Sequence, residues 1–157
     1  MRDKAALRDE LRAQLQGALE RAEAAHAAAL EGATHAEARA ENPKDTRGLE
    51  QSYLARGQAQ RVAELATGLA AIEALALRAF ALGDPVAMSA LISIEEDGAL
   101  QHWFIAPAGG GNVLAGGVAV VTPSSPLGAA LLGKRVDDEV EIRLPGRVRT
   151  LTITALA

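Results

Sequence analysis

The segment AENPKDTRG, residues 40–48, brings two acidic side chains into a stretch that cannot continue a helix. Pro43 disfavours helical geometry at the residue before it. Glu41 and Asp45 therefore fall in a turn, where their carboxylates can converge. Two carboxylates that can converge in a turn are candidate functional residues. Asp45 also has an ordinary structural explanation, because an aspartate at this point can cap the helix that follows.

Two further carboxylates flank this turn. Glu37 precedes it and Glu50 follows it, and both are alternates for the same role. Glu41 stands at the end of the first predicted helix, where a negative charge opposes the helix dipole. This placement is mildly unfavourable for structure, so it favours a functional explanation of Glu41 over a structural one.

Other residue types that often do chemistry form no recognisable site in this sequence. There are no cysteines, so disulfides and thiolate metal sites are excluded. The histidines, His26, His35 and His102, lie far apart and lack the spacing of metal ligands. The glycines at Gly109–Gly111 precede no predicted helix, so a turn is expected there and not a phosphate-binding loop.

The charge balance argues against direct contact with nucleic acid. Residues 1–83 hold 12 acidic and 11 basic side chains, and residues 84–157 hold 8 and 5. Binding to a phosphate backbone requires an excess of Lys and Arg, so we expect no direct DNA binding. The first residues are charged and no long uncharged apolar stretch is present, which predicts a cytoplasmic protein without a secretory signal or membrane contact.

Two long helices are predicted to carry the acidic turn. Residues 2–40 contain no proline, and their apolar stripe is formed by Leu7, Leu11, Leu15, Leu19, Ala22, Ala25, Ala29 and Leu30. The second helix is predicted to end near Leu82, with an a/d repeat at Val62, Leu65, Leu69, Ile72 and Ala76. A short connection makes residues 1–83 an antiparallel coiled-coil hairpin with its tip near 41–47. Tyr53 is expected to pack between the helices.

The periodicity changes to two after Pro85, which predicts strands. A strand is predicted from alternating Met88, Ala90, Ile92 and Ile94, and Asp97-Gly98 is a strong signal for a hairpin turn. Trp103 and Phe104 are expected on opposite faces of the next strand, one in the core and the other available for a surface contact. Residues 84–157 are predicted to form a small antiparallel sheet domain with one short helix, so the fold class is α+β.

The stretch TPSSPLGAALLGKRVDDEVEIRLPG, residues 122–146, carries a family likeness. It contains a Ser125-Pro126 helix start, a Leu-Leu-Gly-Lys stop ending at Lys134, an acidic Asp-Asp turn and a Pro-Gly turn. In this order these features resemble the C-terminal domain of the Gre family of bacterial transcription elongation factors. EQSYLARGQAQRV, residues 50–62, is similar to the second coiled-coil helix of that family. The layout of the whole chain resembles a divergent GreA/GreB-like member.

The resemblance implies an FKBP-like C-terminal domain that docks on bacterial RNA polymerase at the mouth of its secondary channel. It assigns partner contacts to Ser125, Pro126, Leu127 and Lys134. The hairpin tip would reach the active centre, with the nascent RNA 3′ end within reach. Glu41 and Asp45 would be shared ligands of a polymerase Mg²⁺ and would stimulate cleavage of backtracked RNA. The protein would be an accessory factor and not itself an enzyme, with no stably bound cofactor.

The tip departs from the family pattern, which has an Asp and a Glu three residues apart in a Gly-Asp-Leu-x-Glu-Asn context. Glu41 and Asp45 are four apart, and an alignment anchored on Tyr53 instead puts the family pair near Arg47 and Glu50. Two hypotheses therefore stay open. The protein either stimulates transcript cleavage or regulates or inhibits the polymerase by occupying the channel without cleavage.

Two functions of other classes fit the sequence less well. A peptidyl-prolyl isomerase pocket needs several aromatic side chains, and the sheet domain offers only Trp103 and Phe104. A plain coiled-coil adaptor would self-associate through its first helix. The short turn between the helices favours pairing within one chain, so a monomer is expected.

Overall fold

The computed structural model describes residues 3–38 and 46–157 of the chain. Helix α1 spans Lys4–Ala38 and helix α2 spans Arg47–Glu73. In the described part of the chain six strands follow, namely β1 Leu91–Glu96, β2 Ala99–Ile105, β3 Val113–Leu114, β4 Val118–Val121, β5 Glu139–Leu144 and β6 Arg147–Leu156. A 3₁₀ turn, Ala115–Gly117, precedes β4, and the short helix α3, Pro126–Leu131, lies between β4 and β5.

These elements form two compact units. One unit is Ala13–Ala70, and the other comprises Met1–Arg12 together with Ala71–Ala157. The first turns of α1 and the last turn of α2 thus belong with the sheet. The domain boundary predicted between residues 83 and 84 stays a prediction.

The unit Ala13–Ala70 is a hairpin of two antiparallel helices packed through small side chains. His26 Nδ1 donates to the carbonyl oxygen of Ala55 at 3.0 Å, and a Cβ at Gly32 would lie 3.0 Å from Oε1 of Gln51. The buried apolar side chains of this unit are Leu15, Leu19, Ala22, Ala29, Ala33, Ala55, Leu65 and Leu69. Alanine and glycine allow the backbones to approach closely.

Three residues of the hairpin differ from the predicted packing. Ala25 and Leu30 are exposed, although they belong to the predicted stripe. Tyr53 is also exposed, with 58% of its surface accessible, so the expectation that it packs between the helices is wrong. Tyr53 lies two residues before the buried Ala55, roughly 200° around the helix, and therefore faces away from α1. The guanidinium of Arg56 lies 5.8 Å from the centre of its ring.

Helix α2 ends at Glu73, nine residues before the predicted end near Leu82. Its sequence could continue a helix, but tertiary contacts determine another path. Leu75 is buried, and the backbone N–H of Arg78 donates to the side-chain oxygen of Ser89 at 2.9 Å. Ala76, the last member of the predicted a/d repeat, lies beyond the helix and is exposed. Tertiary packing has overridden helix propensity here.

The strands form one sheet in the order β3-β4-β2-β1-β6-β5. All neighbouring pairs are antiparallel except β2 and β4, which run parallel. The sheet is therefore mixed and not purely antiparallel as predicted. The Asp97-Gly98 turn joins β1 and β2 with a positive φ at both residues, as the sequence indicated. The strand predicted from Met88 begins only at Leu91, because Ser89 adopts a φ of 68°.

One face of the sheet carries the main core of this unit. Its buried members are Val86, Ala90, Ile92, Ile94, Trp103, Ile105, Val121, Leu131, Val140, Ile142, Leu151 and Ile153. Trp103 belongs to this cluster, whereas Phe104 is fully buried outside it. Neither aromatic side chain is available for a surface contact, which corrects that expectation.

The first turns of α1 contact the loop between β2 and β4. The carboxylate of Glu10 accepts hydrogen bonds from the backbone N–H of Ala115 at 2.9 and 3.1 Å. A Cβ at Gly109 would lie 2.7 Å from a methyl group of Leu11, and Gly109 has a φ of 78°. This close approach accounts for glycine at that position.

The predicted combination of a helical hairpin, a small sheet domain and one short helix is confirmed. Within the described residues, no helix is both long and apolar enough to cross a membrane.

Substitution of Ala55 by leucine tests the packing of the hairpin. We expect Ala55→Leu to lower the free energy of unfolding by about 1–3 kcal/mol, because the larger side chain has no space beside α1. Ala66→Leu, at an exposed position of the same helix, should change it by less than about 0.5 kcal/mol. Urea unfolding followed by circular dichroism at 222 nm measures both. Equal effects of the two substitutions would contradict this packing.

Candidate functional site

Of the four acidic residues predicted near the hairpin tip, only Glu50 has its side chain within the described part of the structure. Glu41 and Asp45 lie outside the described residues, so their proposed roles stay predictions. Glu37 falls within α1, and its side chain is likewise outside the description. Glu50 lies in the first turn of α2 with an exposed side chain, a position where a negative charge favours the helix dipole.

The start of α3 is fixed by Ser125. Its side-chain oxygen accepts a hydrogen bond from the backbone N–H of Gly128 at 3.0 Å and donates to the carbonyl oxygen of Thr122 at 2.8 Å. Pro126 occupies the first helical position, and Gly133 follows the helix with a φ of 81°. The predicted cap, proline start and glycine stop are therefore all present. The hydroxyl of Ser125 thus forms hydrogen bonds to Thr122 and Gly128 within the protein.

Gly128 allows the first turn of α3 to lie directly on the chain before it. A Cβ at this residue would be 2.0 Å from the carbonyl oxygen of Thr122 and 3.2 Å from Cα of Pro123. Both neighbours are backbone atoms, so neither can move aside without shifting the chain. Any residue other than glycine is excluded from this position in the present geometry.

The other predicted partner contacts differ in exposure. Pro126 and Lys134 are exposed, and Leu127 is half-buried against the main core. The backbone of Lys134 accepts a hydrogen bond from Val86 at 2.7 Å, and Gly133 donates to Val86 at 2.9 Å. These bonds attach the end of α3 to the segment that enters the sheet. The side chains of Pro126 and Lys134 remain accessible from solvent.

A groove of about 510 Å³ lies beside the start of α3. It is lined by Gln101, Trp103, Gly110, Gly111, Ala119, Val120, Val121, Thr122, Ser125, Leu127 and Arg149. Two of the four predicted contact residues, Ser125 and Leu127, thus line the same groove. Trp103 is its only aromatic lining residue in the described part of the chain, so the groove lacks the aromatic lining that an isomerase pocket needs.

A charged pair stands at one end of this groove. Arg149 donates to both carboxylate oxygens of Glu96, at 2.7 and 2.6 Å, and the Gln101 amide adds a third bond at 3.2 Å. The pair is largely shielded, with 23% of the Arg149 side chain and 14% of the Glu96 side chain accessible. The Arg149 guanidinium also lies 6.0 Å from the centre of the Trp103 ring. Bidentate geometry of this kind fixes both side chains.

The pairing changes the titration of both groups. The hydrogen bonds from Arg149 lower the pKa of Glu96, and they outweigh the opposing effect of burial. The same contact raises the pKa of Arg149. Both side chains are therefore charged at neutral pH.

The sequence contained an unused signal for this pair. Glu96 continues the inward positions of Ile92 and Ile94, and Arg149 has the same parity as Leu151 and Ile153. A charged residue at an inward strand position needs a partner. Two inward-facing residues of opposite charge in one small domain therefore indicated an ion pair between them.

Comparison with known proteins supports the family resemblance of this domain. Residues 82–157, just under half of the chain, match the family model described as transcription elongation factor, GreA/GreB, C-term. The resemblance drawn from the α3 region is thereby confirmed.

The curated relatives match only part of this chain. Transcription elongation factor GreA of Chloroflexus aggregans is 37% identical over 68 residues, which are 43% of this chain and 41% of the relative. GreA of Chloroflexus aurantiacus is 38% identical over 68 residues, with the same coverage. The match thus spans about two fifths of the length of these relatives.

Two solved structures resemble this chain over most of its length. The transcription factor Gfh1 is 20% identical, covers 94% of this chain and 93% of its own, and has a TM-score of 0.42. GreA factor homolog 1 of Thermus thermophilus is 20% identical, covers 93% and 94%, and has a TM-score of 0.40. Likenesses at this level support no further conclusion.

Within residues 3–38 and 46–157, no three His, Asp or Glu side chains are grouped so that they could hold a metal ion. The described features of residues 82–157 are an internally capped helix, a groove and a shielded ion pair.

Gly128→Ala should lower the free energy of unfolding of the protein by about 3 kcal/mol or more, because the new methyl group overlaps a backbone oxygen. Gly57→Ala is the control, since a Cβ at Gly57 in α2 meets no atom within 4 Å. That substitution should stabilise the protein by about 0.5–1 kcal/mol. Thermal unfolding of the two variants measures the difference, and a stable Gly128→Ala variant would show that the close approach is wrong.

Glu96→Gln tests the shielded ion pair through its pH dependence. Because the pKa of Glu96 is lowered in the folded state, its stabilisation is complete above the ordinary glutamate value of 4.5 and is lost as the pH falls through the folded pKa. We expect the free energy of unfolding of the wild type to be about 1–2 kcal/mol higher than that of Glu96→Gln at pH 7. The difference should shrink progressively below pH 4.5.

The matched control for this experiment is Glu141→Gln. Glu141 pairs with Arg143 at 2.9 Å, but 53% and 84% of their side chains are accessible. An exposed pair contributes little, so the substitution should cost less than about 0.5 kcal/mol. Denaturant unfolding at several pH values measures both variants. A pH-independent difference between wild type and Glu96→Gln would refute the assignment.

Proposed function

We propose that this protein is a transcription elongation factor that binds bacterial RNA polymerase through residues 82–157. The observation that supports it is the GreA/GreB C-terminal domain at those residues, because curated relatives that share it are named transcription elongation factors. In this proposal the domain docks at the mouth of the secondary channel of the polymerase.

The docking surface is proposed to centre on the start and end of α3. Pro126 and Lys134 have exposed side chains, so both can contact a partner without disturbing the fold. Ser125 and Leu127 contribute through the groove that they line. Ser125 acts mainly by holding Pro126 in position, since its hydroxyl is occupied by Thr122 and Gly128.

The hairpin is proposed to carry Glu41 and Asp45 to the polymerase active centre. The two carboxylates would share a Mg²⁺ ion with the polymerase and so promote hydrolysis of backtracked RNA, with the nascent 3′ end nearby. Two metal ions stabilise the attacking and leaving oxygens of such a reaction. Helix α1 has 35 residues and is about 50 Å long, a suitable length for a probe that enters a channel.

The protein would act as an accessory factor, because the hydrolytic site belongs to the polymerase. It would hold no cofactor of its own, and the Mg²⁺ would be that of the partner. With bacterial RNA polymerase as partner, the protein would act in the cytoplasm. It would act as a monomer, consistent with pairing of α1 and α2 within one chain.

A second candidate is a channel-binding regulator that does not promote cleavage. The observation that favours it is the spacing of Glu41 and Asp45, which are four residues apart where the family pattern has the acidic pair three apart. This regulator would dock in the same way and occupy the channel.

An RNA cleavage assay on a backtracked elongation complex separates the two candidates. Purified wild-type protein should stimulate the polymerase to shorten the stalled RNA. Glu41→Ala combined with Asp45→Ala should abolish that stimulation. Wild-type protein that binds but leaves the RNA unchanged would favour the regulator. Stimulation that survives the double substitution would overturn the proposed role of these carboxylates.

Binding to the polymerase is measured in parallel by fluorescence anisotropy. The tip variant should bind as wild type does, whereas Lys134→Glu should weaken binding about tenfold or more, because it reverses an exposed charge on the proposed docking surface. Arg143→Glu, an exposed charge elsewhere on the domain, is the control. Equal affinities of Lys134→Glu and Arg143→Glu would overturn the proposed position of the surface.

A further inference from the structure

A second cavity lies within the unit that contains the sheet. It has a volume of about 580 Å³ and is lined by Asp3, Lys4, Ala5, Leu77, Arg78, Ala79, Phe80, Leu156 and Ala157. The first turn of α1 forms one side of this cleft, and the segment that follows α2 forms another. None of these residues takes part in the proposed docking surface or in the acidic tip.

Two cations share one aromatic ring in this cleft. The Lys4 ammonium lies 4.7 Å from the centre of the Phe80 ring, and the Arg78 guanidinium lies 5.0 Å from it. The two positive groups are therefore held within about 10 Å of each other. Cation–π contact orients each of them but does not neutralise their charge.

Among the described residues neither of these two cations forms a salt bridge. The carboxylate of Asp3 lines the same cleft and offsets part of the positive charge, although its hydrogen bond is with the backbone N–H of Ala5 at 2.8 Å. Partial burial and the nearby Arg78 both lower the pKa of Lys4. Two cationic side chains and one carboxylate give the lining side chains a net positive charge, which favours an anion.

The cations are held in position by the backbone around them. Lys4 Nζ donates to the carbonyl oxygen of Arg78. The backbone N–H of Arg78 donates at 2.9 Å to the hydroxyl of Ser89, which is fully buried and has a φ of 68°. A residue other than glycine rarely adopts this conformation, and such strain is retained where surrounding contacts require it. The backbone of Arg78 is therefore held in place, and its side chain is exposed.

We propose that this cleft binds a small organic molecule that carries a phosphate monoester. Two cations that form no salt bridge in the described part of the chain can each contact an oxygen of a phosphate monoester, which carries a charge of about −1.5 to −2. Arg78 presents a fork suited to two phosphate oxygens, and Lys4 adds a point charge. Leu77 and Leu156 line the same cleft and provide apolar contact for the body of the ligand. The volume lies within the range of small-molecule sites.

Isothermal titration calorimetry of the full chain tests this proposal with three probes: adenosine monophosphate, inorganic phosphate and adenosine. Adenosine monophosphate should bind saturably with one site per chain and lose affinity as salt concentration rises. Inorganic phosphate should bind more weakly, since it lacks a body, and adenosine should not bind. The assay contains no polymerase, so its failure is independent of the proposed function.

Lys4→Gln and Arg78→Gln should each weaken binding of adenosine monophosphate at least tenfold. Arg143→Gln removes an exposed arginine of the same unit and should leave binding unchanged. The Ser89 contact uses the backbone of Arg78, so Arg78→Gln retains it; far-ultraviolet circular dichroism checks the fold. Should either glutamine variant misfold, Arg78→Lys replaces it and should retain the fold with reduced affinity, because the forked donor is lost.

Three outcomes would overturn the proposal. Absence of saturable binding of adenosine monophosphate would remove the site. Unchanged affinity in the Lys4 and Arg78 variants would show that binding occurs elsewhere. If adenosine bound as tightly as adenosine monophosphate, the ligand would not need its phosphate. If inorganic phosphate bound as tightly, the ligand would not need its organic part.

Discussion

The path of the chain from α2 into the sheet depends on the buried hydroxyl of Ser89. Ser89 is fully buried with a φ of 68°, a conformation that costs a non-glycine residue about 1–2 kcal/mol. Its hydroxyl accepts from Arg78 at 2.9 Å and its N–H donates to Ile105 at 3.0 Å. One residue thus attaches the segment after α2 to the centre of the sheet. The early end of α2, the late start of β1 and the cleft around Phe80 all follow from this attachment.

Features set by local chemistry could be predicted from the sequence. Asp97-Gly98 predicted a hairpin turn, and both residues have a positive φ, a combination that few other residue pairs tolerate. Ser125 and Pro126 predicted the start of α3 because the hydroxyl satisfies a free N–H and proline suits the first helical position. The change of apolar periodicity after Pro85 located the sheet domain. In each case the determining contacts lie within a few residues of one another in the sequence.

Features set by distant contacts could not be predicted in the same way. The end of α2 depends on Ser89, sixteen residues after Glu73, and helix propensity alone favoured a longer helix. The parallel pairing of β2 with β4 depends on how the intervening loop packs, as its hydrogen bonds from Ala115 to Glu10 illustrate. Tyr53 was assigned to the helix interface by residue type, whereas its angular position relative to Ala55 puts it outside. The candidate tip residues remain a sequence-based prediction, since they lie outside the described residues.

Residues 82–157 separate side chains that maintain the fold from side chains that remain exposed. Around α3, the hydroxyl of Ser125 bonds to Thr122 and Gly128, and the position of Gly128 has no room for a side chain beside Thr122. The side chains of Pro126 and Lys134 are exposed. Under the proposed docking, a substitution at Gly128 would therefore reduce stability and binding together, whereas a substitution at Lys134 would change binding alone. Loss of binding without loss of stability would then distinguish contact residues from residues that maintain the fold.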